Sequence, residues 1–246
     1  SYIAMLSETG ATPVVQSKWF ATVVVESPDS TVAEQLQQLA IVDSVKWIWK
    51  GNLRVPAEEK REDRFVSEDE PLHNEYGYSY KQIKMLNGTK LHEAGFRGEG
   101  MRVAVIDAGF MNADRVSAFD SLRLLGTHNV VFPGKSVFVG DDHGTKVLSC
   151  LAADIPGVMV GTAPKASYLL LKSEDSDSEY PVEEDYWTAA VEYADSAGVD
   201  VISSSLGYFA FDTDELSYDQ DALDGRTAMI SRAANLAADK LSLIHI

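Results

Sequence analysis

The apolar positions of this chain fall into short unbroken runs separated by stretches with helical spacing. Val103-Ala104-Val105-Ile106, Ser167-Tyr168-Leu169-Leu170-Leu171 and Val199-Asp200-Val201-Ile202-Ser203 read as strands. Runs with so little polar alternation are buried on both faces, which is the pattern of a parallel sheet. Arg123 to Val131 predicts a further short strand. Between them lie helical patterns. One follows His143, from Lys146 to Ala153. A second begins at Pro181, sets Trp187, Ala190, Val191 and Ala194 on one face, and ends at Gly198. A third runs from Arg226 to Lys240 with Met229, Ile230, Ala233, Ala234 and Ala237. Strands alternating with helices predict an α/β fold, a doubly wound parallel sheet with helices on both faces.

Residues 1–57 carry a different pattern. Trp19 to Glu26 predicts a strand, Ser30 or Thr31 caps a short helix with Val32, Leu36 and Leu39, and Val45 to Lys50 alternates like a half-exposed strand. Such a small α+β piece holds little core of its own. Residues 58–75 follow, with the charge run Glu58 to Asp69, and predict an exposed linker. Tyr76 to Ala94 then predicts an arm and a helix leading into the sheet domain, residues 76–246.

Composition narrows the function classes. The formal charge of −17 argues against a nucleic-acid partner, because phosphate binding needs clustered Lys and Arg. No apolar run is long enough for a membrane span, and no leader pattern opens the chain. The single Cys150 precludes an internal disulfide, and its apolar neighbours Val147, Leu151 and Ala153 predict a buried thiol. Asn87-Gly88-Thr89 fits a glycosylation sequon, a pattern common by chance. Gly98-Glu99-Gly100 precedes the Val103 strand instead of following it, so no dinucleotide-binding loop is written here.

The chemistry concentrates on Asp107 and His143. The Val103 run stops at Asp107, which sets a carboxylate at the carboxyl edge of the sheet, where α/β folds keep their sites. Thirty-six positions later His143 stands at the mouth of the next helix, able to meet that carboxylate. Asp141-Asp142-His143 predicts helix capping rather than a metal cluster, since adjacent residues on one turn rarely converge on one ion. Glu183-Glu184-Asp185 complements a helix dipole and is read as structural. His128 is read as a surface or loop residue.

Four segments in order, Val103-Ala104-Val105-Ile106-Asp107-Ala108-Gly109, His143-Gly144-Thr145, Gly161-Thr162-Ala163-Pro164 and Ser203-Ser204-Ser205-Leu206-Gly207, resemble the boxes of subtilisin-like serine proteases. Ala108 departs from the Ser or Thr usual there. The resemblance implies a serine endopeptidase that hydrolyses peptide bonds through an Asp-His-Ser triad. It implies catalytic roles for Asp107 and His143, and substrate-binding backbone at Ser205, Leu206 and Gly207. Ser203, Ser204 and Ser205 lie in or at the end of a strand and are not read as nucleophiles. The serine box and its asparagine are expected beyond residue 240, so the 246-residue chain is expected to be inactive. Leu241 to Ile246 reads as a foreign tail whose apolar pattern still suits a strand's place in the sheet.

Residues 1–57 resemble part of a propeptide, so the chain's own propeptide joins polypeptide substrates as an implied partner. Maturation cleavage is then expected between Arg64 and Tyr76. The resemblance further implies a secreted or cell-envelope location and a structural calcium ion whose ligands the sequence does not name. No cofactor is expected in the chemistry itself. The competing expectation is a non-catalytic peptide-binding or regulatory module, for which Ala108 is the sequence support.

Overall fold

The structure is a computed structural model that describes residues 1–49 and 74–240 and the backbone of 243–245. The charged linker and most of the expected cleavage segment lie outside the described residues. A five-stranded parallel sheet forms the larger part. Its strands are β3 (Arg102–Asp107), β4 (Arg123–Asn129), β7 (Ser167–Lys172), β8 (Val201–Ser204) and β9 (Leu243–His245). The order is β4-β7-β3-β8-β9, with Asp107 level with Lys172 and Ile106 level with Ser204. The reversal of chain order beside β3 makes its carboxyl end a switch point, where crossovers leave in opposite directions and open a crevice.

Side-chain alternation along β3 assigns the two layers. Ala104 and Ile106 join Leu169, Leu171 and Ile202 in a core closed by α6 (Val182–Ser196) and α7 (Met229–Lys240). Val103 and Val105 face the other way, onto α5 (His143–Ala152) through Leu148 and Ala152. The doubly wound α/β prediction therefore holds, and for the predicted reason: β3 buries both faces. In α6 the four residues expected inward, Trp187, Ala190, Val191 and Ala194, are all fully buried. Residues 243–245 pair in parallel with Val201, Ile202 and Ser203, so the segment does take a place in the sheet.

Two short helices, α3 (Tyr80–Met85) and α4 (Gly88–Glu93), replace the single expected one. Asn87 separates them in a left-handed conformation at φ 56, which a continuous helix does not tolerate. A small ribbon of β5 (Asp154–Ile155) and β6 (Met159–Val160) follows α5.

The N-terminal part differs more from expectation. It comprises α1 (Tyr2–Ser7), β1 (Thr12–Ser17), β2 (Thr22–Glu26) and α2 (Thr31–Gln37). Thr12 to Ser17 pairs antiparallel with β2, while Val45 to Trp49 has no regular partner. Both segments carry β-type sequence, and the nearer one, separated by a four-residue turn at 18–21, makes the hairpin. The ribbon alternates like the main sheet. Val23 and Val25 pack with Leu6, Val32 and Leu36. Val14, Val15 and Val24 face the α6 side of the main core.

One further expectation is corrected. Cys150 is exposed, because the inward stripe of α5 runs Gly144, Leu148, Ala152 and position 150 falls opposite it. The expected capping of α5 by one Asp is found: Asp141 Oδ1 accepts from the His143 amide at 2.7 Å, and Asp142 pairs with Lys146 at 2.8 Å. Glu183 and Glu184, read as structural acids of a helix dipole, do stand in the first turn of α6, and each is 1% exposed.

Candidate active site

Asp107 ends β3 and is fully buried; His143 opens α5, with its side chain about half exposed (49%). Their groups meet: His143 Nδ1 lies 2.6 Å from Asp107 Oδ1. A carboxylate only accepts, so Nδ1 carries the proton and donates. In the neutral imidazole this leaves the Nε2 lone pair free to act as a base. Asp107 Oδ1 also accepts from the Ala108 amide at 2.8 Å. The second oxygen, Oδ2, is buried with no hydrogen-bond partner among the described residues. Burial pushes the Asp107 carboxyl above its usual range, opposed by the bonds from His143 and Ala108.

Two glycines let the elements come this close. A Cβ on Gly144 would lie 2.5 Å from the Gly109 carbonyl oxygen and 2.9 Å from Asp107 Cβ. One on Gly109 would lie 2.8 Å from the Asp141 carbonyl oxygen. Thr145 Oγ1 donates to the Met111 carbonyl at 2.8 Å, tying the first turn of α5 to the loop after β3. Thus Gly109, Gly144 and Thr145, read in the sequence as box residues, act on packing. Lys172, buried beside the site, gives its ammonium to the Ala108 carbonyl, and burial pushes its pKa down.

The other expected site residues stand further along the same edge. Ser205 and Gly207 are exposed and Leu206 half-buried, immediately past the end of β8. Their backbone groups enter none of the described backbone hydrogen bonds. Ser204 is fully buried and accepts from Trp187 Nε1 at 2.8 Å, which agrees with its exclusion as a nucleophile. Among the described residues no serine hydroxyl bonds to the His143 ring. His128 stacks on Tyr193, with ring centroids 4.6 Å apart, and burial lowers its pKa.

A group of acids was missed. Glu174, Glu179 and Glu183 bring carboxylate oxygens within 4.8 Å of one another at the carboxyl end of β7 and the start of α6. Glu184 beside them is fully used: Oε1 accepts from Tyr218 at 2.6 Å and Oε2 from the Ile230 amide at 2.8 Å, anchoring the start of α7. The signal was the density of acids between Glu174 and Asp185 bordering an apolar strand and helix.

The N-terminal ribbon seats on α6 and α7 through one carboxylate and two rings. Glu192 on α6 accepts from Ser17 Oγ at 2.5 Å, the Lys18 amide at 2.9 Å and the Trp19 amide at 3.1 Å. Arg232 lies over Phe20 at 4.7 Å and Lys240 over Trp19 at 5.3 Å. Trp49 contacts Tyr180 edge-on, 6.1 Å between centroids, in the loop before α6. Three charge-assisted bonds to one acceptor are each worth about 1.5–3 kcal/mol. Glu192→Ala is therefore expected to speed hydrogen exchange at the Lys18 and Trp19 amides at least about tenfold; unchanged protection would mean Glu192 does not hold the ribbon.

Comparisons with known proteins follow the same division. Residues 1–68 match the family described as peptidase S8 propeptide domain, Bacteroidota. Subtilisin E of Bacillus subtilis is 32% identical over 147 residues, covering 58% of this chain and 36% of that protein. The major intracellular serine protease of the same organism is 31% identical over 133 residues, 51% of this chain and 40% of that protein. The chain thus spans about two fifths of the length of these relatives. In fold, it resembles the crystal structure of the epidermin leader peptide processing serine protease of Staphylococcus aureus. That likeness has a TM-score of 0.58 at 16% identity, over 97% of this chain and 56% of the other. An S8 propeptide match at the N-terminus and similarity to subtilisins over about half of the chain thus stand together with a sheet that brings Asp107 to His143, so the chain is similar to subtilisin-like serine proteases in both of its parts.

Proposed function

We propose that the protein is a serine endopeptidase in which His143 is the general base and acid and Asp107 its orienting partner. The observation that carries this reading is the 2.6 Å contact between His143 Nδ1 and a fully buried Asp107, with Nε2 left free. The serine hydroxyl attacks the peptide carbonyl while Nε2 takes its proton; the imidazolium then gives that proton to the departing amine, and water hydrolyses the acyl-enzyme. Asp107 holds the imidazole in the tautomer with the proton on Nδ1 and stabilises the imidazolium. The chemistry uses no cofactor. Ser205, Leu206 and Gly207 pair with the substrate backbone by strand addition, which favours an extended polypeptide over any one side chain.

The nucleophile and the asparagine donor belong to a longer natural chain, beyond residue 240. Two facts support this: the chain spans about two fifths of its relatives, and no described serine bonds to His143. A serine-directed fluorophosphonate is expected to label the full-length protein and not the 246-residue chain. Labelling of the short chain would place the nucleophile within it. His143→Ala in the full-length protein is expected to abolish peptide hydrolysis while peptide binding persists. Retained hydrolysis would sink the triad assignment, whereas a full-length protein that binds peptides without hydrolysing them would be the non-catalytic binding module.

Residues 1–57 act as the protein's own propeptide and 58–75 as the linker cut during maturation, between Arg64 and Tyr76. The propeptide match and the Glu192 contacts support this role. Among the described residues no helix is long and apolar enough to cross a membrane. A secreted or envelope location is proposed from the propeptide match; one relative bears the name intracellular, so fractionation of the source cells is the deciding measurement.

A further inference from the structure

Beyond the catalytic edge, the most unusual chemistry in the molecule is the group of acids in the loop joining β7 to α6. Glu174 and Glu183 are 7% and 1% exposed, and Glu179 is half-buried. Their carboxylate oxygens all lie within 4.8 Å of one another. Ionised carboxylates brought this close in a poorly solvated place repel strongly unless something positive stands among them.

The bonds these groups make do not supply that charge. Glu174 Oε1 accepts from the Tyr208 hydroxyl, and Glu183 Oε1 accepts from the Asp175 amide at 3.0 Å. The buried cation nearby, Lys172, gives its ammonium to the Ala108 carbonyl and pairs directly with none of the three; its single charge, felt by Glu174 from a distance, leaves the group of three carboxylates net negative. None of the three acids enters an ion pair among the described residues. A second observation is independent of the acids' mere proximity: among the described residues, buried Glu183 Oε2 has no hydrogen-bond partner. The carboxylate that carries this orphaned oxygen is the one that meets Glu174 and Glu179. Ser173 Oγ, one residue before Glu174, is another buried oxygen without a partner among the described residues. Nearly all buried polar atoms are satisfied, so an orphan inside an anionic group needs a cause.

We infer that Glu174, Glu179 and Glu183 form a binding site for a hard divalent cation, calcium in preference to magnesium. The donor set is all oxygen, which suits both ions and excludes soft metals. Two oxygens on opposite sides of a calcium ion at about 2.4 Å stand about 4.8 Å apart, so the observed spacing lets all three acids reach one ion. Magnesium demands near-octahedral geometry at about 2.0–2.1 Å and keeps several waters; two nearly solvent-free ligands leave little room for them. The acids come from the end of β7, the crossover loop and the first turn of α6. One ion would therefore fasten that loop to the sheet beside Asp107, whose carbonyl accepts from the Ser173 amide at 3.1 Å. The same loop carries Tyr180, on which Trp49 of the N-terminal part rests.

The test is calorimetric titration of the chelator-treated 246-residue chain with calcium chloride, beside Glu183→Gln and Glu179→Gln. The unaltered chain should bind one more calcium than either variant, with magnesium at least about tenfold weaker. Calcium at about a hundred times its dissociation constant should raise the melting temperature by on the order of 5 °C, and the variants should lose that rise. If Glu183→Gln does not fold, Glu179→Gln carries the comparison, because Glu179 is half-buried and makes no described side-chain bond. Equal stoichiometry and equal thermal response in chain and variant would overturn the inference. So would a chain indifferent to calcium whose Glu183→Gln variant is simply more stable, since the acids would then share protons. The readouts need no turnover, so they stand or fall apart from the proteolytic reading.

Discussion

Asp107→Asn in the full-length protein is expected to cut turnover by about 10⁴-fold without weakening the fold at neutral pH. The kinetic part follows from the hydrogen bond at His143 Nδ1. An amide can present its N–H to that nitrogen, which favours the tautomer with the proton on Nε2 and removes the base. The stability part follows from burial. The folded pKa of Asp107 is raised, with burial the leading cause. A group whose folded pKa exceeds its unfolded value contributes stability below the unfolded pKa, and that contribution is lost as pH rises through the folded value. At pH 7 the ionised carboxylate therefore costs stability, and its unpartnered Oδ2 is the visible sign. The melting temperature of Asp107→Asn relative to the unaltered protein should climb from about pH 4 to pH 7. A variant that loses stability in step with activity would mean that Asp107 serves the fold, not the imidazole.

Gly144→Ala is expected to damage both fold and catalysis although alanine is the better helix former. The added methyl would sit 2.5 Å from the Gly109 carbonyl oxygen and 2.9 Å from both Asp107 Cβ and Phe110 Cε1. Two of these belong to the turn and strand that carry Asp107, so no flexible side-chain end can yield. Overpacking of this kind costs typically about 1–3 kcal/mol, and backbone neighbours put Gly144 at the upper end. The melting temperature should fall by on the order of 10 °C. The clash is relieved by moving α5 away from β3, which lengthens the Asp107–His143 contact. A displacement near 1 Å is worth about 100-fold in rate. Thermal melts and kcat of the same preparation check both; intact activity at a lowered melting temperature would show that the helix start can shift without moving the imidazole.

Much of the α/β part was legible because its signals are local. The β3 run ends in an acid, α6 carries four small or aromatic residues at helical spacing, and both follow directly from side-chain period. The N-terminal order was misread because Thr12–Ser17 and Val45–Trp49 both have strand-like sequence, and pairing is a tertiary choice between them. The burial of Cys150 was misread for a related reason. A helix-like run from Lys146 to Ala153 does not say which side faces the sheet, and that depends on where Gly144 must lie.

The sequence by itself determined the parallel strand-helix alternation and set Asp107 at a strand end and His143 at a helix start, because each is written in contiguous residues. Tertiary structure decided the rest. It closed the 36-residue gap between carboxylate and imidazole to 2.6 Å, set Glu192 under the N-terminal ribbon, and gathered Glu174, Glu179 and Glu183. Distances between side chains on different elements depend on how layers pack, and burial, which sets their charge and affinity, exists only after that packing is made.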